Sequence, residues 1–285
     1  AAGSYPAFFL SSIRPITALK SNLPTGTHSS RFRSALVVFQ FVLTTILIIS
    51  TFIIFSQHKY MHSKDLGFNK KDILVIAIQN DEVRSGIESF KNELLTLNGV
   101  VSAGTSSMVP GEIYLFNFGV YPEGFVRDQV FLMDNFLVDY SFLDTFEIDV
   151  VRGRGFSQQI TSDFEEAVMI NETAARALEW SNPIGKTIEI PIDDHLIRKR
   201  VIGVFQDIHQ RSLYSLVNPT FIQYIGTKGP IENRARRLSL RLEIKDLAGI
   251  MAQIEQKWKK TFPDHPYYSF FLDDFFDGQH RAEAN

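Results

Sequence analysis

ALVVFQFVLTTILIISTFIIF, residues 35–55, decides what kind of chain this is. These 21 residues contain no charge, no glycine and no proline. As an α-helix they rise about 31 Å at about 1.5 Å per residue, the thickness of a bilayer core of about 30 Å. A buried core helix would be shorter and would carry one apolar stripe, whereas this run is apolar on every face, so it reads as one transmembrane α-helix. A secretory signal fits poorly: 34 residues precede the run, it is too long for the apolar part of a signal, and no small-residue cleavage site follows. The hydroxyls of Thr44, Thr45 and Thr51 can bond back to helix carbonyls, while Gln40 needs a partner on another helix, which points to a bundle of spans.

Working outward, Arg14, Lys20, Arg31 and Arg33 precede the span and Lys59, Lys64, Lys70 and Lys71 follow it. This near tie leaves only the acid-free composition of the amino side to tip that side towards the cytoplasm. Residues 1–60 carry five basic and no acidic side chains, against 24 basic and 32 acidic in the remaining 225, so the two parts face different surroundings. The overall charge of -3 lacks the strongly basic balance of a nucleic-acid binder. With no cysteine, a disulfide framework, a thiol nucleophile and cysteine-ligated metal sites are excluded, and the compartment stays open. The opening AAGSYPAFFL looks like the tail of an earlier span, so the chain is expected to be a piece of a longer protein. Residues 11–34, with Pro15, Pro24 and Gly26, read as a polar connector holding one short helix over residues 14–20.

Beyond Lys59 the pattern changes to short strands and helices broken by turn signals, an α+β domain in roughly two lobes. Residues 73–78 read as a strand. Residues 82–97 read as an amphipathic helix with Ile87, Phe90, Leu94 and Leu95 inward, stopped by Asn98 and Gly99, and residues 100–107 as the returning strand. Strands are expected at 114–121, 130–138, 166–171, 220–224 and 238–244, with a hairpin of 187–192 and 199–205. Helices are expected at 140–146, 171–179 and 247–262, the last carrying Ile250, Ile254 and Trp258.

The search for chemistry selects no catalytic, cofactor-binding or metal-binding residue. Gly185-Lys186-Thr187 imitates the end of a phosphate-binding loop, but the glycine required five positions earlier is Trp180. His58 and His62 share a helix face without a carboxylate to complete a metal site. Asp193-Asp194-His195 reads as a hairpin tip, and Asp273, Asp274 and Asp277 as a solvated turn. No local context marks a serine nucleophile. Arg234, Arg236, Arg237 and Arg241 form a basic patch, with Arg237, Ser239 and Arg241 on one face of a strand that is read as solvated.

Six ordered stretches resemble the MacB/FtsX-type ABC-transporter permeases, in particular the bacterial form with two periplasmic core domains: YPAFFLSSIRPITALK (5–20), RSALVVFQFVLTTILIISTFII (33–54), KDLGFNKKDILVI (64–76), VDYSFLDTFEIDVVRGRGFS (138–157), VMINETAARALEWSNPIGKTIEI (168–190) and VIGVFQDIHQRSLYSLVNPTFI (201–222). The resemblance implies a non-enzymatic permease of the bacterial inner membrane without a cofactor. Its partners would be a separate ABC ATP-binding subunit, other transmembrane helices of the same permease and the lipid bilayer, with an exported substrate or periplasmic partner and no nucleic acid. By the same resemblance, residues 1–10 end one span, 11–34 are a cytoplasmic connector, 35–55 cross the membrane, 60–277 are a periplasmic core domain, and 278–285 lead towards a next span. The family's stretch after the domain runs on into membrane, where this one stops at HRAEAN. Its transport and mechanotransmission roles name no cargo here.

Two rival readings of the residues stand beside this one. A membrane-anchored extracytoplasmic sensor would show a concave pocket with convergent polar groups. An anchored enzyme would need a catalytic constellation that the residues do not display.

Overall fold

The computed structural model describes residues 27–63, 66–112, 116–126, 130–192, 195–209, 216–225, 234–243 and 246–283. The chain divides into two compact units, Ala1–Lys64 and Asp65–Asn285. In the first unit, helix α1 (Thr27–Ser63) runs for 37 residues without a break. Its stretch Arg31–Ser56 is long and apolar enough to cross a membrane, and the described side chains along it are exposed. Thr44, Thr45 and Thr51 donate to the carbonyls of Gln40, Phe41 and Leu47, each at 2.8 Å, so these three hydroxyls are satisfied within the helix. The expected helix at 14–20 and the tail at 1–10 lie outside the described residues.

The second unit is a mixed α/β domain whose two lobes are both built from one chain path. The first lobe is a four-stranded antiparallel sheet in the order β11 (Ser269–Phe271), β1 (Ile73–Ala77), β10 (Arg237–Leu242), β2 (Val100–Ser106). β1 and β2 run parallel with β10 between them, which makes the helical crossover from β1 to β2 a split one. Helices α2 (Asp81–Leu94) and α6 (Leu247–Thr261) cover one face, where Phe90 meets Trp258 at 5.5 Å and Phe262 at 5.4 Å. Both helices begin on a side-chain cap: Asn80 accepts from the Val83 N–H and Asp246 from the Gly249 N–H.

Most of the described chain between β2 and β10 builds the second lobe. Six strands close into a ring: β4 (Phe131–Val138), β3 (Phe116–Pro122), β7 (Thr187–Ile192), β8 (His195–Phe205), β6 (Ala167–Asn171) and β9 (Thr220–Tyr224), the last pairing back onto β4. Closure removes free sheet edges, and alternation along each strand sends Val120, Met133, Val168, Ile188, Val201 and Phe221 into a common interior. Helix α5 (Glu172–Ala177), capped by Asn171, adds Ala174. The lobes touch in the sheet at one residue pair, Ser106 with Val138. A further core joins them, in which Ile73 and Val75 of the first sheet meet the outer face of the ring through Phe142 and Phe146 of α3 (Phe142–Phe146).

Several local expectations change. Leu95 is 39% exposed because the helix ends at Leu94 and the chain turns off the inner face. Lys91 takes that face instead. The helix expected at 140–146 is the five-residue α3, and that at 171–179 shortens to Glu172–Ala177 because Asn171 is the cap. The second hairpin strand starts at His195, which pairs with Ile192; Asp193 and Asp194 lie outside the described residues, as do Tyr114, Leu115 and Ile244. Strand β5 (Val150–Gly153), on β8, and helix α4 (Ser162–Glu166) were not legible in the pattern. Asp273 and Asp274 open a helix, α7 (Leu272–Glu283), in place of a turn, which suits acidic side chains at a helix amino end.

Candidate functional site

The features singled out as chemistry settle into structural roles. Gly185, at φ 88°, makes the turn into β7, and Lys186 pairs with Glu123 at 2.7 Å. That Lys186 bond, and after it the Thr187 N–H that donates to the same carboxylate, hold Glu123 below the usual carboxylate range. His58 and His62 fall in α1, their side chains outside what is described. Among the described residues no three His, Asp or Glu side chains converge as a metal set.

The basic strand is the chief correction. Arg237, Ser239 and Arg241 share a face as alternation predicts, but that face is covered, with Ser239 fully buried and Arg241 at 9% exposure. Arg237 meets Glu112 through Nε at 2.8 Å and Nη2 at 2.5 Å. Arg241 donates to the carbonyls of Thr145 at 2.9 Å, Asn69 at 3.1 Å and Lys71 at 3.3 Å, and pairs with Glu147 at 3.3 Å. Burial lowers its pKa, and Glu147 opposes the shift. A rigid fork with five donors suits several carbonyls at once, which an ammonium would not.

Those bonds fasten residues 66–72, the first of the domain after α1, to both lobes. The Asn69 N–H reaches the Phe146 carbonyl at 2.8 Å and the Leu242 N–H reaches the Asp72 carbonyl at 2.9 Å. The His209 N–H, just past β8 of the ring, reaches the Leu66 carbonyl at 2.9 Å, and the Gln206 amide donates to the Gly67 carbonyl. Gly67 has φ 76°, and a Cβ there would lie 2.0 Å from the Asp207 carbonyl oxygen. Phe68 packs on Phe276 of α7, ring centroids 5.7 Å apart, so the segments that begin and close the domain meet in one place.

Two polar features escaped the sequence. Lys91, fully buried, meets Asp139 at 2.9 Å and Glu88 at 2.8 Å and lies over the Tyr140 ring. Burial alone would lower its pKa, but the two carboxylates outweigh it and raise it. Asp139 is also held by the Thr105 N–H and hydroxyl, each at 2.8 Å, and by the Ser141 N–H. The available signal was spacing, since Lys91 lies four residues after Ile87 on the inner face of α2. The second is a cavity of about 270 Å³ at one end of the ring, where Phe118, Asn135, Ile192 and Gln223 meet Met108 and the arginines 234, 236 and 237. A groove of about 460 Å³ between β5 and α5 is lined by Val151, Arg152, Arg176 and Trp180.

The domain is a split β-α-β sheet carrying a closed ring as an insertion, and among the described residues one helix, α1, is long and apolar enough to span a bilayer. The profile of the MacB-like periplasmic core domain matches residues 41–256. The chain belongs to that family, the periplasmic domain of MacB/FtsX-type ABC-transporter permeases.

The domain of a putative permease protein from Porphyromonas gingivalis has a TM-score of 0.50 at 14% identity, over 70% of this chain and 89% of that one. The periplasmic region of MacB from Actinobacillus actinomycetemcomitans scores 0.49 at 14% identity, over 75% and 94%. The extracellular domain of the ABC-type transporter YknZ from Gram-positive bacteria scores 0.43 at 16%, over 66% and 89%. At such identities the likeness is one of fold. No curated protein sequence matched the chain.

Proposed function

We propose that the chain is a segment of an ABC-transporter permease in the bacterial inner membrane, with its domain in the periplasm. It would couple ATP hydrolysis by a separate ATP-binding subunit to movement of that domain, for export or mechanotransmission. The observation that carries the reading is the fastening of residues 66–72. α1 extends about 55 Å at about 1.5 Å per residue, well beyond a core of about 30 Å. From three residues after its end, over residues 66–72, the chain is bonded to the segment following β8, to α3 and to β10. A displacement delivered there acts on both lobes together, as rigid-body transmission requires.

The test uses the full-length parent protein, purified from membranes in mild detergent. A stoichiometric ATP-binding subunit with ATPase activity is expected to co-purify. Inserting a flexible Gly/Ser stretch after His58 should leave the domain folded and the complex assembled while abolishing transport or partner activation. Purification of intact protein without an ATPase would refute the permease assignment, and an insertion that leaves function intact would refute rigid coupling through α1.

A further inference from the structure

The ring is filled at one end and open at the other. Following the interior-facing alternation of its strands, apolar positions such as Met133 and Phe221 are succeeded by Asn135 on β4 and Gln223 on β9, so the lining turns polar where the ring opens. Gln223 is only 4% exposed, and its amide lies 3.3 Å from the Asn135 carbonyl oxygen. That one bond leaves a donor on one amide and an acceptor on the other without partners among the described residues, whichever way the two amides are oriented. Asn135 is only half-buried, and neither amide is among the fully enclosed polar groups left without a partner, so the free groups of the pair are open to an incoming ligand at the mouth.

The rim supplies charge. Glu112 is engaged by Arg237 through two nitrogens and by the Val109 N–H, so it neutralises that arginine. Arg234 and Arg236 are exposed beside it, their guanidinium groups without a carboxylate partner among the described residues. The site therefore presents three layers in sequence: apolar walls from Phe118 and Ile192, an incomplete amide pair, and a rim whose Arg234 and Arg236 face no carboxylate among the described residues.

We propose that the open end of the ring binds the hydrophobic carboxy-terminal end of a peptide. One apolar side chain would enter the walls, a main-chain amide would complete the bonds of Asn135 and Gln223, and the terminal carboxylate would meet Arg234 and Arg236. The cavity of about 270 Å³ lies below the range of about 300 to 1,000 Å³ usual for whole small-molecule ligands, which suits the tip of a longer molecule. A simple fatty acid matches the walls and the rim but leaves the amide pair unanswered. The inference does not rest on the permease assignment, because the assay needs neither an ATPase nor transport.

The test is fluorescence anisotropy on the detergent-solubilised full chain, with a fluorescein-labelled Ala-Ala-Leu-Leu peptide carrying a free carboxylate, the same peptide amidated at that end, and octanoate as competitor. The free acid should bind saturably and the amide about tenfold or more weakly, a loss typical of one charge-assisted contact. R234A/R236A, at exposed positions, should erase the difference between acid and amide. Gln223→Leu should weaken both peptides alike, with circular dichroism confirming that each variant is folded. Absence of saturable binding, equal binding of acid and amide, displacement by octanoate at equal concentration, or unchanged binding by either folded variant would overturn the proposal.

Discussion

Lys91 brings a cation into the core of the first lobe, and its worth lies in what would be stranded without it. Truncation to methionine keeps most of the apolar stem but leaves the Asp139 carboxylate buried with only its hydroxyl and N–H donors. Removing one partner of such a pair costs about 3 to 5 kcal/mol, and the remaining donors place Lys91→Met near the lower figure, about 3 kcal/mol. Adding Asp139→Asn should recover part of the loss in a urea denaturation cycle; additive losses would show that the two groups are uncoupled.

The same neighbourhood predicts an alkaline limit. Tyr224, half-buried near Asp139 and Glu88, has its phenol pushed up to about 12, first by burial and then by those carboxylates. Lys91 is likewise raised above its ordinary value. The folded protein keeps both protons at a pH where the unfolded chain has released them, so their contribution is complete below about pH 10 and is lost as pH rises towards 12. Lys199 acts in the opposite sense: burial lowers its pKa despite Glu165, and its cost is relieved as pH approaches the ordinary lysine value. Urea midpoints should fall above pH 10, and Tyr224→Phe should flatten the fall; identical slopes in the two proteins would rule out the tyrosine as a cause.

Among the elements, the span and the amphipathic helices were legible because their signals are local. Twenty-one mostly apolar residues without a charge, glycine or proline leave few alternatives, and the 3.6-residue period of α2 and α6 places Ile87, Phe90, Ile254 and Trp258 inward, as found. The β10 strand shows the opposite case. Alternation correctly put Arg237, Ser239 and Arg241 on one face, but whether that face is wet depends on α3, which arrives from nearly a hundred residues earlier in the chain. The segment at 66–72 is similar: no local signal marks Gly67, yet it lies where a Cβ would strike the Asp207 carbonyl. Gly67→Ala should therefore cost about 1 to 3 kcal/mol through backbone strain and displacement of that contact. A thermal midpoint equal to that of the parent would mean that the segment yields easily and is no firm anchor.

At the scale of the whole molecule, the two lobes meet at one strand pair but share a core containing Ile73 and Val75 on one side and Met169, Phe205 and Ile222 on the other. A common core makes the lobes unfold together even though each has its own interior. The chain's two tryptophans report the lobes separately: Trp258 is buried beneath α2 and Trp180 packs on the ring interior. Single-tryptophan forms, Trp180→Phe and Trp258→Phe, should give a signal midpoint in urea that coincides, within each protein, with the loss of secondary structure. A separate earlier transition in either form would show that the lobes fold independently.

The sequence by itself determined the apolar helix, the change to an α+β domain beyond it, most strand and helix positions and, through ordered resemblance, the family. These rest on composition, period and turn chemistry, all of which act over a few residues or one helix. Only the tertiary structure decided that six strands close into a ring, that the arginine face of β10 is buried, that Lys91 and Asp139 form one pair, and that Asn135 and Gln223 face a common mouth. Each of these depends on residues tens of positions apart becoming neighbours, and burial is a property of what covers a side chain, which no local spacing records.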